Sequence, residues 1–156
     1  MNSFDKLKSV VARLRSENGC PWDREQTHVS LKAACIEEAA EVICGINILE
    51  ATGRSDNLKE ELGDLLFQVV MHAQIAEEEG LFTLDDVVDG ITEKMIRRHP
   101  HVFGDVKVNS SDEVIKNWEE IKSGEKKESE DKYLCVSFDE SKMLIDRAKK
   151  RKGLET

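Results

Sequence analysis

Ser30–Ala51 reads SLKAACIEEAAEVICGINILEA, and Asn57–Glu79 reads NLKEELGDLLFQVVMHAQIAEEE. These two stretches decide the fold. At about 100° per residue, Leu31, Cys35, Val42 and Leu49 share one side of the first, and Leu58, Leu62, Leu65, Val69 and Ala76 share one side of the second. Both are expected to be amphipathic helices. The connection from about Thr52 to Asp56 is short, which favours antiparallel neighbours.

The carboxylates are the anomaly. Glu38 sits inside the apolar stripe of the first helix, with Glu41 on its edge and Glu37 further out. On the second helix, Glu61, Asp64 and Gln68 line the flank of the stripe. Glu38/Glu41 and Glu61/Asp64 are i,i+3 pairs, so each pair leaves one side of its helix. An ionised carboxylate on a buried face is costly unless paired or metal-bound. Four converging carboxylates find relief in raised pKa values or in bound divalent cations, and all-oxygen ligands suit Mg2+ or Mn2+. Spacing alone leaves two readings open, a metal site or solvated helix faces.

Outward from this pair, three more helices are expected. One runs from Ser3 to about Glu17 and stops at Asn18-Gly19. Another starts with Thr83 as N-cap and ends near His99, before Pro100. A third starts at Ser110 or Ser111 and carries Val114, Trp118 and Ile121 on one face. Cys20-Pro21-Trp22-Asp23 reads as a loop. Ser123 to Lys132 reads as a solvated linker or disordered run, followed by a short helix at about Asp139–Lys150.

The net charge of -9 speaks against nucleic-acid binding, which needs a basic footprint. Met1 to Cys20 lacks the apolar core of a signal peptide, and Leu65 to Ala76 is too short and polar to span a bilayer. The four cysteines match no zinc spacing; Cys35 and Cys44 suit reduced thiols packed among apolar neighbours. A cytoplasmic location is the expectation.

Lys94, Arg97 and Arg98, with His99, form a dense basic patch in an acidic chain. Phosphate binding and a favourable helix C-terminus are both open readings. Trp118 reads as core packing; Trp22 is a loop anchor or a base-stacking ring. His72 reads as a satisfied histidine at the core edge, and His99/His101 is a weak metal pair.

Glu37-Glu38-Ala39-Ala40-Glu41 followed by Glu61-Leu62-Gly63-Asp64 resembles the MazG family of the all-α NTP pyrophosphohydrolase superfamily. Three further blocks are similar to MazG in order: Gly19-Cys20-Pro21-Trp22-Asp23 through Gln26-Thr27-His28 to Ser30-Leu31, then Lys94 to Asp105, then Trp118-Glu119-Glu120-Ile121-Lys122. The resemblance covers about residues 1–126, so the division expected is a MazG-like domain over 1–126 and a charged linker and tail over 127–156, with the tail beyond about Glu125 dispensable for catalysis. It implies an all-α MazG-like helical bundle with antiparallel core helices, a four-helix-type bundle completed by oligomerisation as a homodimer or dimer of dimers. It implies Mg2+-dependent hydrolysis of NTPs or dNTPs at the α–β bond to NMP and pyrophosphate, in house-cleaning of the nucleotide pool or in stress. By position, Glu38, Glu41, Glu61 and Asp64 match the metal ligands, with Lys94, Arg98 and Trp118 at further functional positions. Catalytic candidates are Glu37, Glu38, Lys94 and Arg98; substrate-binding candidates are Lys94, Arg97, Arg98, Trp118 and Trp22.

Related dUTP- or phosphoribosyl-ATP-directed enzymes are an alternative, but the Cys20–Leu31 and Arg97–Asp105 blocks favour MazG. A di-iron bundle expects Glu-x-x-His, and neither Glu38 nor Glu61 is followed by His three residues on. A helical interaction module is the non-enzymatic alternative; it has no need of Glu38 in the stripe. Apolar residues off the stripes, Ile36 and Ile43 on one helix and Phe67 and Val70 on the other, suggest second faces covered by another chain.

Overall fold

The computed structural model of the chain describes residues 2–125 and 128–154. Among these residues the regular structure is entirely helical: α1 (Ser3–Arg15), α2 (Pro21–Glu25), α3 (Lys32–Thr52), α4 (Asp56–Glu78), α5 (Leu84–Arg98), α6 (Pro100–Phe103), α7 (Ser111–Gly124) and α8 (Glu128–Arg151). The all-α expectation holds.

The short helix α2 replaces an expected loop, and the short helix α6 opens at Pro100, just past the expected end of the preceding helix. Each begins on proline, whose fixed φ and missing N–H suit a first helical position. Ahead of α3, Thr27 and Ser30 cap each other: the Thr27 N–H donates to Ser30 Oγ at 2.9 Å and the Ser30 N–H to Thr27 Oγ1 at 3.1 Å. That reciprocal pair makes a turn of the expected helix start and moves α3 to Lys32. α3 ends at Gly53 with φ +73°, the left-handed cap that glycine adopts without strain.

Contacts divide the chain into two compact units, Met1–Leu84 with Phe138–Thr156, and Asp85–Ser137. In the first, α3 and α4 make the most extensive pairing, and α1 packs on α4 and α2. The α3–α4 register is antiparallel: Cys35 meets His72, while Gly45 lies against Leu58. A Cβ on Gly45 would stand 2.7 Å from Leu58 Cα, so the helices touch there backbone to backbone.

The core gathers Val11 of α1, Leu31, Val70, Met71, Ala73 and Ile75 of α4, and Leu84, with Leu7 and Phe67 packed against it. Val11, Val70 and Met71 are fully buried, each contributing about 1.5–3 kcal/mol relative to exposure. Arg15 locks this end. Its side chain, 7% exposed, grips Glu78 at 2.7 Å and donates to the carbonyls of Asp23 at 2.6 Å and Gln26 at 3.1 Å. One side chain thus ties α1, α2 and α4.

The expected stripe on α3 is observed: Leu31 is buried and Cys35, Val42 and Leu49 are half-buried. On α4 the expected face is corrected. Glu61 and Gln68 are buried at 9% and 6%, whereas Leu62 and Val69 are 50% and 42% exposed. α4 turns Glu61 and Gln68 inward, with Asp64 exposed beside them, and leaves Leu62 and Val69 outside. Val70, expected on an outward second face, is in the core, and Phe67 packs against it.

α8 runs far beyond the expected Asp139–Lys150. The expected linker over 123–132 is helical to Gly124 and again from Glu128, with 126 and 127 outside the described residues. Glu and Lys are good helix formers, and a run rich in them is as consistent with helix as with a solvated coil. Among the described residues, no helix is long and apolar enough to cross a membrane.

Candidate metal centre

The middle of α3 and the first half of α4 bring Glu38, Glu61 and Asp64 together. One carboxylate oxygen from each lies within 4.8 Å of the others, and among the described residues this is the one such group of His, Cys, Asp or Glu. Opposite oxygens around Mg2+ or Ca2+ stand roughly 4–5 Å apart, so three hard oxygen donors at this spacing fit a divalent cation. Burial pushes the Glu38 carboxyl up, and the charges of Glu41, Asp64, Glu61 and Glu37 push it the same way. The site therefore strains toward added positive charge, supplied by a proton or a cation.

Neighbours fix the carboxylates. Asn57 Nδ2 donates to Glu61 Oε1 at 2.9 Å, one turn earlier on α4. Asn57 Oδ1 is buried with no hydrogen-bond partner. The Gly45–Leu58 approach sits about one turn from Glu41 and from Glu61, so it sets how far apart the two helices carry their carboxylates.

Glu41 stands outside the group of three. Lys152 binds its carboxylate, and also reaches Glu37 Oε1 at 3.0 Å. Arg151 binds the other oxygen of Glu37. Its hydrogen bond, with that of Lys152, holds the Glu37 carboxyl below the usual range, against a smaller opposing effect of burial. No periodicity in the sequence points to these cations.

The basic candidates lie in the second unit. Lys94 and Arg98 share a face of α5. Arg98 is 5.0 Å over the Trp118 ring and Lys122 is 4.9 Å from its centroid, so half-buried Trp118 is a cation–π platform and not simple core. Glu125 takes Arg98 Nη2 at 2.6 Å and Arg97 Nε at 2.6 Å. Those hydrogen bonds, Arg97's first, hold the Glu125 carboxyl low.

Other candidates are placed as follows. Trp22 is 63% exposed, which corrects the anchor reading: Asp23, 8% exposed, and Arg15 hold this segment. His72 is satisfied on both ring nitrogens, by His28 Nδ1 at 2.8 Å and Cys35 Sγ at 3.2 Å. His99 Nδ1 is 2.6 Å from the Met95 carbonyl, and with His101 it joins no described metal group. All four cysteines are free; Cys44 is exposed, contrary to the packed-thiol expectation.

A sequence profile of the MazG nucleotide pyrophosphohydrolase domain matches residues 26–103. The uncharacterized protein YabN of Bacillus subtilis is 52% identical over 133 residues, 85% of this chain but 26% of that protein. The nucleoside triphosphate pyrophosphohydrolase/pyrophosphatase MazG of Thermotoga maritima is 53% identical over 123 residues, 79% of this chain and 45% of its own length. The nucleoside triphosphate pyrophosphohydrolase of Escherichia coli K12 is 48% identical over 127 residues, covering 81% and 47%. The chain thus spans less than half the length of each of these relatives.

Proposed function

The chain belongs to the MazG nucleotide pyrophosphohydrolase domain family, and on that premise we propose that it hydrolyses nucleoside triphosphates between the α- and β-phosphates, releasing NMP and pyrophosphate with Mg2+ as cofactor. The observation that carries the proposal is the convergence of Glu38, Glu61 and Asp64 across α3 and α4. Two relatives named for this activity support it.

Glu38, Glu41, Glu61 and Asp64 would hold the cation, with Mn2+ as a substitute. When bound, Mg2+ supplies Lewis-acid polarisation of the phosphates and acidifies a water. Glu37 orients that water or accepts its proton once free of Arg151 and Lys152. Lys94 and Arg98, with Arg97, offset the charge gathering on pyrophosphate. Trp118 and Trp22 present ring faces to the nucleoside. Attack is direct, with no covalent intermediate.

A homodimer, or a dimer of dimers, is part of this reading. Ile43 and Ile46 of α3 and Leu62, Leu66 and Val69 of α4 are 40–59% exposed, an apolar surface that a second copy can cover. A cytoplasmic setting and a role in cleaning the nucleotide pool belong to the same proposal. The test is pyrophosphate release from a panel of NTPs and dNTPs, with and without Mg2+. Release that needs Mg2+ and is lost in Glu38→Gln is expected; release indifferent to both would overturn the proposal.

A further inference from the structure

Glu41 matches Glu38, Glu61 and Asp64 in sequence pattern, yet it is the one of the four missing from the converging group. It is the one bound by Lys152. Arg151 and Lys152 also take both oxygens of Glu37, so the end of α8 lays two cations along the rim of the acidic cluster.

The rest of α8 holds this end in place only lightly. Lys32 pairs with Glu140 at 3.0 Å, with both side chains nearly half exposed. Ile145 and Ala148 of α8, and Leu154 beyond it, line a cavity of about 350 Å3 together with Ala40 and Cys44 of α3. Arg151 and Lys152 themselves keep 64% and 40% of their side-chain exposure. Ion pairs this exposed are weak and screened by salt. A divalent ion carries twice the charge of an ammonium and is coordinated by several carboxylates at once, so it competes well for the same oxygens.

We propose that the end of α8 is a displaceable cap on the acidic site: Arg151 and Lys152 hold Glu37 and Glu41 in the free protein, and a divalent cation must release them before Glu41 joins Glu38, Glu61 and Asp64. The cap rests on the reading of that cluster as a cation site. It lowers the affinity of the free protein for the metal and leaves two phosphate-seeking side chains beside the cleft once it opens.

Mn2+ binding, followed by the EPR signal of the free ion, tests it without reference to activity. The whole chain is compared with Arg151→Ala/Lys152→Ala, and Glu38→Gln is placed in each. The double variant is expected to bind Mn2+ roughly three- to thirtyfold more tightly, by a margin that shrinks as NaCl rises, with Glu38→Gln abolishing binding in both. Lys152→Gln alone should fall between. Far-UV circular dichroism checks that all variants keep their helices. Equal affinity in the two chains overturns the cap and leaves the cation site standing. Weaker binding in the double variant also overturns it, because α8 would then build the site. Failure of either chain to bind Mn2+, or binding untouched by Glu38→Gln, removes the cation site and the cap with it.

Discussion

The two charged clusters of this molecule are opposites in more than sign. In the second unit, Arg97 and Arg98 converge on Glu125, which accepts from both at 2.6 Å and is held low in pKa by them. The cluster is closed on itself. In the first unit, Glu38, Glu61 and Asp64 converge on one another, and the cations at the end of α8 reach Glu37 and Glu41 at the rim. Burial and like charge push Glu38 up in pKa. Like charges gathered round an opposite charge are held by it; like charges with that partner at the edge leave a place for something else.

The sharpest way to break this contrast is to neutralise the open cluster. Glu38→Gln or Asp64→Asn should cost on the order of a hundredfold or more in Mg2+-dependent pyrophosphate release, since even disturbing a ligand's support costs 10- to 100-fold. Without metal, Glu38→Gln should melt above wild type at neutral pH. A carboxylate whose pKa is raised by folding opposes the fold while ionised, and its amide does not. A lower melting temperature without metal would mean that Glu38 is structurally paired.

Spacing comes next. Gly45→Ala puts a Cβ 2.7 Å from Leu58 Cα. Overpacking of this kind costs about 1–3 kcal/mol, partly offset by the better helix propensity of alanine. Urea unfolding should show the loss, and Mn2+ affinity should fall with it because the carboxylate pairs move apart. Lost stability with unchanged affinity would separate the crossing from the site.

Arg15 supplies a third, purely structural cluster for comparison. Arg15→Met should cost about 1–3 kcal/mol through the lost hydrogen bonds to Glu78 and two carbonyls. Its hydrogen bond with Arg15 holds the Glu78 carboxyl low. The stabilisation from that shift is complete above the ordinary carboxylate range and fades as pH falls through the depressed value. The gap between variant and wild type should therefore narrow in acid, and a gap constant with pH would assign the loss to the carbonyls alone.

The smallest effect is expected in the closed cluster. Glu125→Gln loosens Arg97 and Arg98 and should tighten binding of inorganic pyrophosphate by a few fold. No change would leave the arginines as helix-end structure.

Much of this was legible in the sequence, for local reasons. Helix period and end signals give α1, α3, α4, α5 and α7, and i,i+3 spacing brings Glu38 toward Glu61 and Asp64. What periodicity gets wrong is the inward face of α4. Leu62 and Val69 outscore Glu61 and Gln68 in hydrophobicity, but α4 buries the polar pair, and no wheel knows which face its neighbour needs. The contacts of Arg15 with Glu78 and of Lys152 with Glu41 span 63 and 111 residues. They join long side chains across the fold and leave no periodic trace.

The crossing at Gly45 has a mechanical consequence. Backbone against backbone offers no rotamers to yield, so the contact works as a fulcrum on which α4 can only pivot. Leu58 is three residues from Glu61, about 4.5 Å along the axis, and twenty from Glu78, about 30 Å. A sway of 1 Å at the Arg15 end then reaches Glu61 as roughly 0.15 Å. The Arg15 lock fixes the far end of the lever, and the short arm keeps the carboxylates near their spacing even where that lock is removed.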